Sequence, residues 1–386
     1  MRRVTRRLVI ITEIISPYRI PLFNALAQNR EVNLHVIFLA ETDPGLRQWQ
    51  VYREEIRFSY EVLPSWRKQI GQYNVLLNAK LERALAAARP EVVLCGGYNY
   101  PASWQALLWA RCRGIPFFLW SESTLHDLRG RRPLVEFAKT EFFRRCDGFV
   151  VPGRSAREYL HAYKLKDADI FTAVNAVDNA LFAGLADSTR QNPIQLRRQL
   201  GLPNRYFLFV GRLVKEKGVF DLLSAYAKLN ASVRSEVGLV FAGDGAARPQ
   251  LETEAARTSP GFVRFVGFTE REHLARYYAL ADMLILPTFT DTWGLVVNEA
   301  MACGIGDIVS QSAGCVADLV TENWNGRIIR SGDVSSLASV MEALIQKPDL
   351  CATLGLNGRQ RIAQYSPEAW AIGLARMLES VGVAHD

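Results

Sequence analysis

A turn that contains glycine and basic residues joins a short apolar segment to the start of a helix-like segment. Residues 207–218 read FLFVGRLVKEKG, so Gly211 ends the apolar run and Arg212 and Lys217 follow it. Cations at the start of a helix suit a phosphate group. The segment is neither GxGxxG nor a Walker loop, so it predicts neither a dinucleotide fingerprint nor a P-loop. Taken alone, the turn also fits exposed basic residues on a connecting loop.

A second segment, residues 287–304, contains two carboxylates with seven residues between them. On a helix, Glu299 shares one face with Ala300 and Cys303, so its carboxylate projects from an otherwise apolar stripe and needs a partner. Ribose hydroxyls would supply two donors, and an arginine elsewhere in the chain would supply an ion pair. Asp291 lies just before the same helix, and its spacing alone favours a role as the N-cap over a role in catalysis.

Short apolar segments alternate with helix-like segments along the whole chain, and these elements must position the polar side chains. Such runs are typical of strands that are buried on both faces of a parallel sheet. Their βαβα order predicts α/β domains with doubly wound sheets and right-handed crossovers. Ligands of such sheets bind beyond the carboxyl ends of the strands. The predicted strands are Leu8–Ile14, Val32–Leu39, Val92–Cys95, Pro116–Trp120, Gly148–Val151, Tyr206–Val210, Val237–Ala242, Val263–Val266, Met283–Leu286 and Ile308–Ser310.

The length of the chain and a change in its composition predict two domains. The chain has 386 residues, of which 49% are hydrophobic and 22% charged. At about 150 residues per domain, this length fits two or three domains. Polar and turn-forming residues cluster over 176–205 and predict the link between two similar halves. We expect domains over residues 1–184 and 205–365, a linker over 185–204 and a final segment over 366–386.

Charge is distributed unevenly between the two halves. The net charge is +7, but residues 1–200 contain 29 basic and 19 acidic residues, whereas the remainder contains 17 and 20. The basic half fits an anionic membrane surface, a phosphorylated acceptor or an ordinary solvated surface. We expect no nucleic-acid partner, because no RRM, zinc-finger or helix-turn-helix signature accompanies the charge.

Cysteine usage and hydropathy predict the compartment. The six cysteines are scattered, without CxxC pairs or zinc-ligand spacing, which indicates reduced thiols and no metal site. No run approaches the roughly 20 apolar residues of a membrane-spanning helix. The apolar run Leu8–Ile11 behind Arg6 and Arg7 is shorter than a signal peptide requires. We therefore expect a cytoplasmic protein.

Taken together, these segments resemble the retaining GT-B glycosyltransferases of family 4, also called glycosyl transferases group 1. The resemblance is strongest over Tyr206–Asp333 and continues upstream through VVPGRSAREY at 150–159 and VNAVD at 174–178. It implies two Rossmann-like domains that face a central cleft, with the acceptor on the N-terminal side and the nucleotide sugar on the C-terminal side. It also implies that the final helix returns to the first domain. The matching segments are, in order, VGRLVKEKG, FAGDGAARPQLE, VRFVGF, LADMLILP, the acidic pair and AMACG.

The resemblance also implies roles for individual residues. Arg212 and Lys217 match the pair that holds the donor diphosphate, and Glu299 matches the carboxylate that binds the ribose hydroxyls. Asp291 stands where the family usually has Glu, which contacts the hydroxyls of the donor sugar. The remaining residues in the matching donor-binding segments are Gly211, Gly243, Trp293, Gly294 and Leu295.

Three departures from the family pattern concern other candidate residues. Many relatives have a His close to the reacting sugar, and here Glu122 occupies that place while His126 follows four residues later. Spacing leaves open which of the two faces the sugar. Arg19 lies in a loop that replaces a glycine-rich one, and it fits contact with the phosphates, contact with the acceptor or a structural anchor. Asp307 replaces an apolar residue before a buried strand, and the sequence offers no physical reason for it.

The implied reaction moves a sugar from a nucleoside diphosphate donor to an acceptor hydroxyl with retention of configuration, without metal or cofactor, in bacterial surface polysaccharide or glycolipid synthesis. The alternatives are a nucleotide-sugar epimerase or phosphorylase on a similar scaffold, and a non-catalytic nucleotide-binding partner subunit. A lipid-linked or saccharide acceptor would place the enzyme at the inner face of the plasma membrane, where arginines of the N-terminal half would contact anionic lipid. Those arginines are Arg2, Arg3, Arg6, Arg7, Arg129, Arg131, Arg132, Arg144 and Arg145.

Overall fold

The computed structural model describes residues 5–43, 49–70, 73–126 and 133–381. Five of the arginines expected to contact a membrane lie outside these residues: Arg2, Arg3, Arg129, Arg131 and Arg132. Within the described part of the chain, no helix combines the length and hydropathy that crossing a bilayer requires. All six cysteines are free thiols.

The chain divides into two compact units. The first comprises Met1–Leu125, Arg129–Ala176 and Pro367–Asp386, and the second comprises His126–Leu128 and Val177–Ser366. The C-terminal segment thus belongs to the same unit as the N-terminal half of the chain.

The first unit contains a seven-stranded parallel sheet and a separate antiparallel hairpin. Its strands are β1 (Arg6–Thr12), β2 (Val32–Phe38), β3 (Ser59–Val62), the hairpin strands β4 (Trp66–Ile70) and β5 (Tyr73–Leu77), β6 (Val92–Gly96), β7 (Phe117–Trp120), β8 (Gly148–Val151) and β9 (Ile170–Thr172). The sheet order is β3-β2-β1-β6-β7-β8-β9. Neighbouring residues of one strand enter opposite cores: Ile11 and Cys95 pack on one face of the sheet, and Ile10 and Leu94 on the other. Burial on both faces explains why these strands are continuous apolar runs.

The first unit's helices cover both faces of this sheet. They are α1 (Ile20–Ala27), α2 (Leu81–Ala88), α3 (Pro101–Arg111), α4 (Pro133–Phe143) and α5 (Arg154–His161). The strand order changes direction between β1 and β6, so the carboxyl ends of these two strands border the crevice where such sheets bind ligands.

The second unit contains a six-stranded sheet in which all strands are parallel. The strands are β10 (Tyr206–Val210), β11 (Gly238–Ala242), β12 (Val263–Gly267), β13 (Met283–Leu286), β14 (Gly306–Ser310) and β15 (Gly326–Ile329). The order β12-β11-β10-β13-β14-β15 reverses between β10 and β13. A ligand of this sheet is therefore expected beyond the carboxyl ends of these two strands.

The described residues of the second unit contain ten helices. Two of these helices overlap the segment that was expected to be a linker. The ten helices are α6 (Asn179–Thr189), α7 (Pro193–Gln199), α8 (Val219–Lys228), α9 (Ala231–Glu236), α10 (Arg248–Thr258), α11 (Arg271–Leu280), α12 (Leu295–Ala302), α13 (Val316–Leu319), α14 (Val334–Ile345) and α15 (Pro348–Ile362). Residues 185–204 contain the end of α6 and all of α7. The Asp178 carboxylate caps α6 by accepting a 2.9 Å hydrogen bond from the Leu181 N–H. This helix packs against α11 and α12, so the segment is part of the second unit.

A final helix, α16 (Pro367–Ser380), packs on α1 in the first unit. Its buried face places Trp370, Leu374 and Met377 in the same core as Phe23. A Cβ atom on Gly373 would lie 2.3 Å from the Thr172 carbonyl oxygen, so only glycine allows the helix to approach the end of β9 this closely.

Asp307 lies in the middle of the second unit's core, on β14. Its side chain is fully buried, and no described residue hydrogen-bonds either carboxyl oxygen. This burial raises the pKa of the Asp307 carboxyl well above its usual range. Burial therefore favours the protonated, uncharged form of this carboxyl in the folded protein.

Candidate active site

Two glycine loops meet at the carboxyl ends of β10 and β11. The Gly211 N–H donates to the Ala242 carbonyl at 3.0 Å, and the Leu213 N–H donates to the Asp244 carbonyl at 2.9 Å. A Cβ atom on Gly243 would lie 1.9 Å from the Gly211 carbonyl oxygen, so a side chain there would push the loops apart. The backbone alone thus builds a tight platform from which the basic turn extends.

The basic turn and the acidic segment meet at this edge of the sheet. Lys217 lies in a short 3-10 turn, and its Nζ donates to Asp291 Oδ2 at 2.5 Å. The segment that follows β13 is hydrogen-bonded to the same turn, because the Phe289 N–H donates to the Glu216 carbonyl at 2.9 Å. Arg212 is exposed in the same loop. Residues 74 positions apart in the chain therefore form one charged site beyond β10 and β13.

The N-cap interpretation of Asp291 is wrong. Helix α12 begins at Leu295, and its N-cap is Gly294, whose φ of 100° places it in the left-handed region. Asp291 lies three residues earlier, where its Oδ1 accepts a 3.3 Å hydrogen bond from the Trp293 N–H while its Oδ2 binds Lys217. Its side chain keeps 20% of its surface exposed. The carboxylate is therefore available to a ligand at the start of α12.

Trp293 is one of the buried candidate donor-binding residues. Its side chain is 3% exposed, and its indole N–H donates to the Asn298 side-chain oxygen at 2.8 Å. Its contribution is to hold the first turn of α12, where Gly294 and Leu295 lie. The N–H groups of a first helical turn have no partner within the helix and carry partial positive charge, which suits a phosphate or a sugar oxygen.

Glu299 finds a partner that sequence reasoning did not consider. The side chain is fully buried, and its Oε2 accepts a 2.6 Å hydrogen bond from the Tyr278 hydroxyl on α11. The sequence suggested a ribose or an arginine, and the structure adds this tyrosine as a partner. Burial first, and the nearby Glu299 charge second, raise the pKa of the Cys303 thiol on the same helix, so that cysteine is no nucleophile. Contact between Glu299 and a ribose stays a prediction.

The first unit places a second polar cluster at the carboxyl ends of β1, β6 and β7. Arg19, at the start of α1, donates to the Thr12 hydroxyl and lies 3.6 Å from the Glu122 carboxylate. The Asn175 side-chain amide donates to the other Glu122 oxygen at 3.3 Å. The Arg19 guanidinium stacks over the Trp120 ring, with its carbon 4.5 Å from the ring centroid. We call Arg19, Glu122 and Asn175 the acceptor-side cluster.

Glu122 and His126, between which sequence spacing could not choose, have different surroundings in the structure. Glu122 lies in the acceptor-side cluster with 30% of its side chain exposed, whereas His126 lies on an exposed turn after it. Arg19 anchors its loop through Thr12, and its contact with phosphates or acceptor stays a prediction. No group of three or more His, Cys, Asp or Glu side chains within the described ranges is arranged to hold a metal ion.

Sequence reasoning missed a group of residues that supports the Glu122 loop. The Tyr98 hydroxyl lies 3.3 Å from the Ser123 hydroxyl, next to Glu122, and 3.2 Å from the Tyr159 hydroxyl. Lys139 on α4 donates to the Tyr163 hydroxyl at 3.0 Å, and its Nζ lies 5.9 Å from the Tyr98 ring centroid. Burial raises the pKa of Tyr98, so its hydroxyl stays protonated. No spacing signals this group, because three separate elements bring it together.

Two protein-family profiles match the chain. One, described as Glycosyltransferase Family 4, matches residues 22–181, and the other, described as Glycosyl transferases group 1, matches residues 194–361. Each profile covers most of one of the two sheets.

Individual glycosyltransferases are also similar to this chain, some in sequence and some in fold. An alpha-D-kanosaminyltransferase of Streptomyces kanamyceticus is 26% identical over 80% of this chain and 81% of its own length. A D-inositol 3-phosphate glycosyltransferase of Salinispora arenicola is 29% identical over 54% of this chain, which spans only 48% of that relative. Anabaena Alr3699/HepE, solved in complex with UDP and glucose, shares the fold with a TM-score of 0.76 at 17% identity, covering 97% of this chain and 100% of that one.

Proposed function

The chain belongs to the GT-B glycosyltransferases that resemble family 4, and from this premise we propose that it transfers a sugar from a nucleoside diphosphate donor to an acceptor hydroxyl, with retention of configuration and without a metal ion. The observation that carries the proposal is the Lys217–Asp291 contact of 2.5 Å at the carboxyl ends of β10 and β13. It puts a cation suited to a diphosphate beside a carboxylate suited to sugar hydroxyls. The HepE complex with UDP and glucose supports this choice of donor.

The donor diphosphate binds Arg212, Lys217 and the first turn of α12. When the glycosidic bond to the diphosphate breaks, negative charge grows on the leaving phosphate oxygen, and two fixed cations stabilise it there. In other enzymes a divalent cation stabilises such a charge on the leaving group. Asp291 accepts hydrogen bonds from hydroxyls of the transferred sugar, and Glu299 binds the ribose in exchange for its bond to Tyr278.

The acceptor hydroxyl binds the acceptor-side cluster of the first unit. Glu122 accepts a hydrogen bond from that hydroxyl, while Arg19 and Asn175 fix the orientation of the carboxylate. An aromatic ring beside this cluster, Trp120, carries the Arg19 guanidinium and limits its movement. The acceptor is a saccharide or a lipid-linked saccharide of bacterial surface polysaccharide or glycolipid synthesis, reached at an anionic membrane face.

A turnover assay with a panel of nucleoside diphosphate sugars tests the proposal. We expect the donor to be consumed, and free nucleoside diphosphate to appear, only when an acceptor is present, and we expect a chelator to leave the rate unchanged. Conversion of the donor sugar without an acceptor would identify an epimerase. Dependence on inorganic phosphate would identify a phosphorylase, and nucleotide binding without turnover of any donor would identify a partner subunit.

A further inference from the structure

The first two turns of α4 expose large apolar side chains to solvent. Leu134 is 83% exposed, Phe137 is 67% exposed and Val135 is 53% exposed. The second half of the same helix behaves differently, because Phe142 and Phe143 are buried in the core of the first unit. A soluble helix usually hides such residues, so three of them on adjacent turns indicate a surface that another body covers.

Basic residues lie on both sides of this apolar surface in the chain. Arg144 and Arg145 follow it in the turn directly after α4, where both contact Glu141, at 2.9 Å and 2.5 Å, and their side chains stay 68% and 42% exposed. The sequence carries three more arginines between residues 129 and 132, immediately before the helix. Apolar side chains flanked by arginines are the pattern of a helix that lies in the interface of an anionic bilayer.

The same helix is connected to the acceptor-side cluster. Lys139 lies one turn after Val135 and contacts Tyr163, while its ammonium lies against the Tyr98 ring. Tyr98 in turn lies within hydrogen-bond distance of Ser123, the residue next to Glu122. Lys139, Tyr98 and Ser123 thus connect the helix that carries the exposed apolar side chains to the Glu122 loop.

We propose that Leu134, Val135 and Phe137 insert into the interface of an anionic bilayer and hold the acceptor-side cluster close to a membrane-borne acceptor. This inference rests on the proposed function, because it takes the acceptor to be lipid-linked. A second copy of the chain is a poor occupant, since three side chains are far fewer than the about 20 residues per partner of a stable interface. The basic flanks also repel a second copy, whereas they attract anionic lipid.

Vesicle binding of the full chain tests the proposal. We compare the wild type with the Leu134→Ser/Phe137→Ser double variant on phosphatidylcholine vesicles with and without phosphatidylglycerol. The matched control is Leu108→Ser on α3, a leucine of the same unit that is 51% exposed. We expect the wild type and the control to bind the anionic vesicles equally, and the double variant to bind at least about tenfold more weakly, because two apolar side chains no longer leave water.

Three results would overturn the proposal: no binding by the wild type, equal binding by the double variant, or a wild-type dimer that the double variant cannot form. Donor binding distinguishes these failures from failure of the proposed function. The double variant should bind nucleoside diphosphate like the wild type, because α4 belongs to the first unit and the donor residues belong to the second. Intact nucleotide binding shows that the second unit is folded, and an unchanged urea unfolding curve and circular dichroism spectrum of the double variant show the same for the first unit.

Discussion

The contact between Lys217 and Asp291 joins the two charges that the proposed reaction uses. Each side chain is mostly buried, with 16% and 20% of its surface exposed, so neither charge is fully solvated. A diphosphate that approaches Lys217 competes with Asp291 for the ammonium and leaves the carboxylate to the sugar. Donor binding therefore prepares both residues in one step.

Lys217→Ala and Arg212→Ala should each lower kcat by about 100- to 1,000-fold, because each removes one electrostatic contact to the leaving diphosphate. Lys215→Ala is the matched control: this exposed lysine lies in the same turn but is not one of the proposed diphosphate ligands, and its loss should leave kcat near the wild-type value. Steady-state kinetics with the donor varied is the measurement. Wild-type kcat in both Lys217→Ala and Arg212→Ala would contradict the diphosphate assignment.

The two carboxylates should differ in what their loss affects. Glu299→Gln should weaken binding of the free nucleoside diphosphate, since the ribose is part of every nucleotide ligand. Asp291→Asn should not weaken that binding, since it removes the carboxylate that competes for Lys217, and it should lower turnover of the full donor, since only the donor carries the sugar. Calorimetric titration with nucleoside diphosphate, followed by kinetics with the nucleotide sugar, checks both. Equal weakening of nucleoside diphosphate binding by the two substitutions would show that the roles are not divided.

The sequence singled out the charged candidates of the proposed donor site, but not their partners. Arg212, Lys217 and Glu299 stand out because charged residues interrupt apolar patterns at turns and on a helix. Tyr278 did not stand out, because a tyrosine on an amphipathic helix is an ordinary core residue until the fold brings it to Glu299. Only the cap residue was misassigned: Gly294, whose φ is left-handed, is the N-cap of α12, three residues beyond Asp291.

At the scale of single elements, β14 contains a destabilising residue. Burial raises the pKa of the Asp307 carboxyl above its unfolded-state value, so the unfolded chain releases the proton at lower pH and is favoured as pH rises above the ordinary carboxyl range. Asp307→Val should therefore raise the free energy of unfolding at neutral pH by about 1–3 kcal/mol, which is the cost of an unsatisfied buried polar group. Valine also suits a strand buried on both faces.

The pH dependence of urea unfolding checks the Asp307 prediction. The stability gain of Asp307→Val should be smallest in acid, where the aspartate is neutral in both states, and should grow as pH rises. Asp307→Asn serves as the control, because it keeps the polar group and removes the titration. A gain that does not change with pH would mean that the aspartate is already ionised in the folded chain.

Helix α16 depends on a single close approach. In Gly373→Ala, the new methyl group would lie 2.3 Å from the Thr172 carbonyl oxygen and 2.7 Å from the Ala173 Cα, so the helix has to move away from β9. We expect a loss of about 1–3 kcal/mol, as for other overpacked sites, and faster amide exchange throughout α16. In Gly184→Ala on α6, the methyl group meets nothing within 4 Å, and the same substitution should be neutral or stabilising. Unchanged amide exchange in Gly373→Ala would contradict the prediction.

The sequence revealed the central strands better than the edges of the sheets. The bounds of β8, β10 and β13 agree with the predicted bounds residue by residue, because these strands are apolar runs buried on both faces. Strand β3 escaped prediction because its four residues are exposed or only partly buried. The hairpin β4–β5 escaped because no alternating apolar pattern marks a pair that the main sheet does not include. Edge and appended strands depend on tertiary pairing, which a single sequence does not display.

At the scale of the whole molecule, charge and exposed apolar surface occur in the same half of the chain. Residues 1–200 carry ten more basic than acidic residues, whereas the remainder carries three more acidic than basic ones. Each basic residue near an anionic membrane contributes about 1 kcal/mol, so a few arginines suffice for reversible binding. The two contributions to membrane binding respond to different variables, since salt screens charge and leaves the transfer of apolar side chains nearly unchanged.

This difference yields a prediction for the salt dependence of vesicle binding. Binding of the wild type to phosphatidylglycerol vesicles should weaken steadily as salt shortens the Debye length to about 8 Å and below. The Leu134→Ser/Phe137→Ser variant should bind more weakly at every salt concentration but with the same slope, because it keeps every arginine. Arg144→Gln/Arg145→Gln should do the reverse, with a shallower slope and little loss at high salt. Sedimentation across a salt series measures both quantities, and a change of slope in the serine variant would mean that the apolar side chains act by orienting the arginines rather than by entering the bilayer.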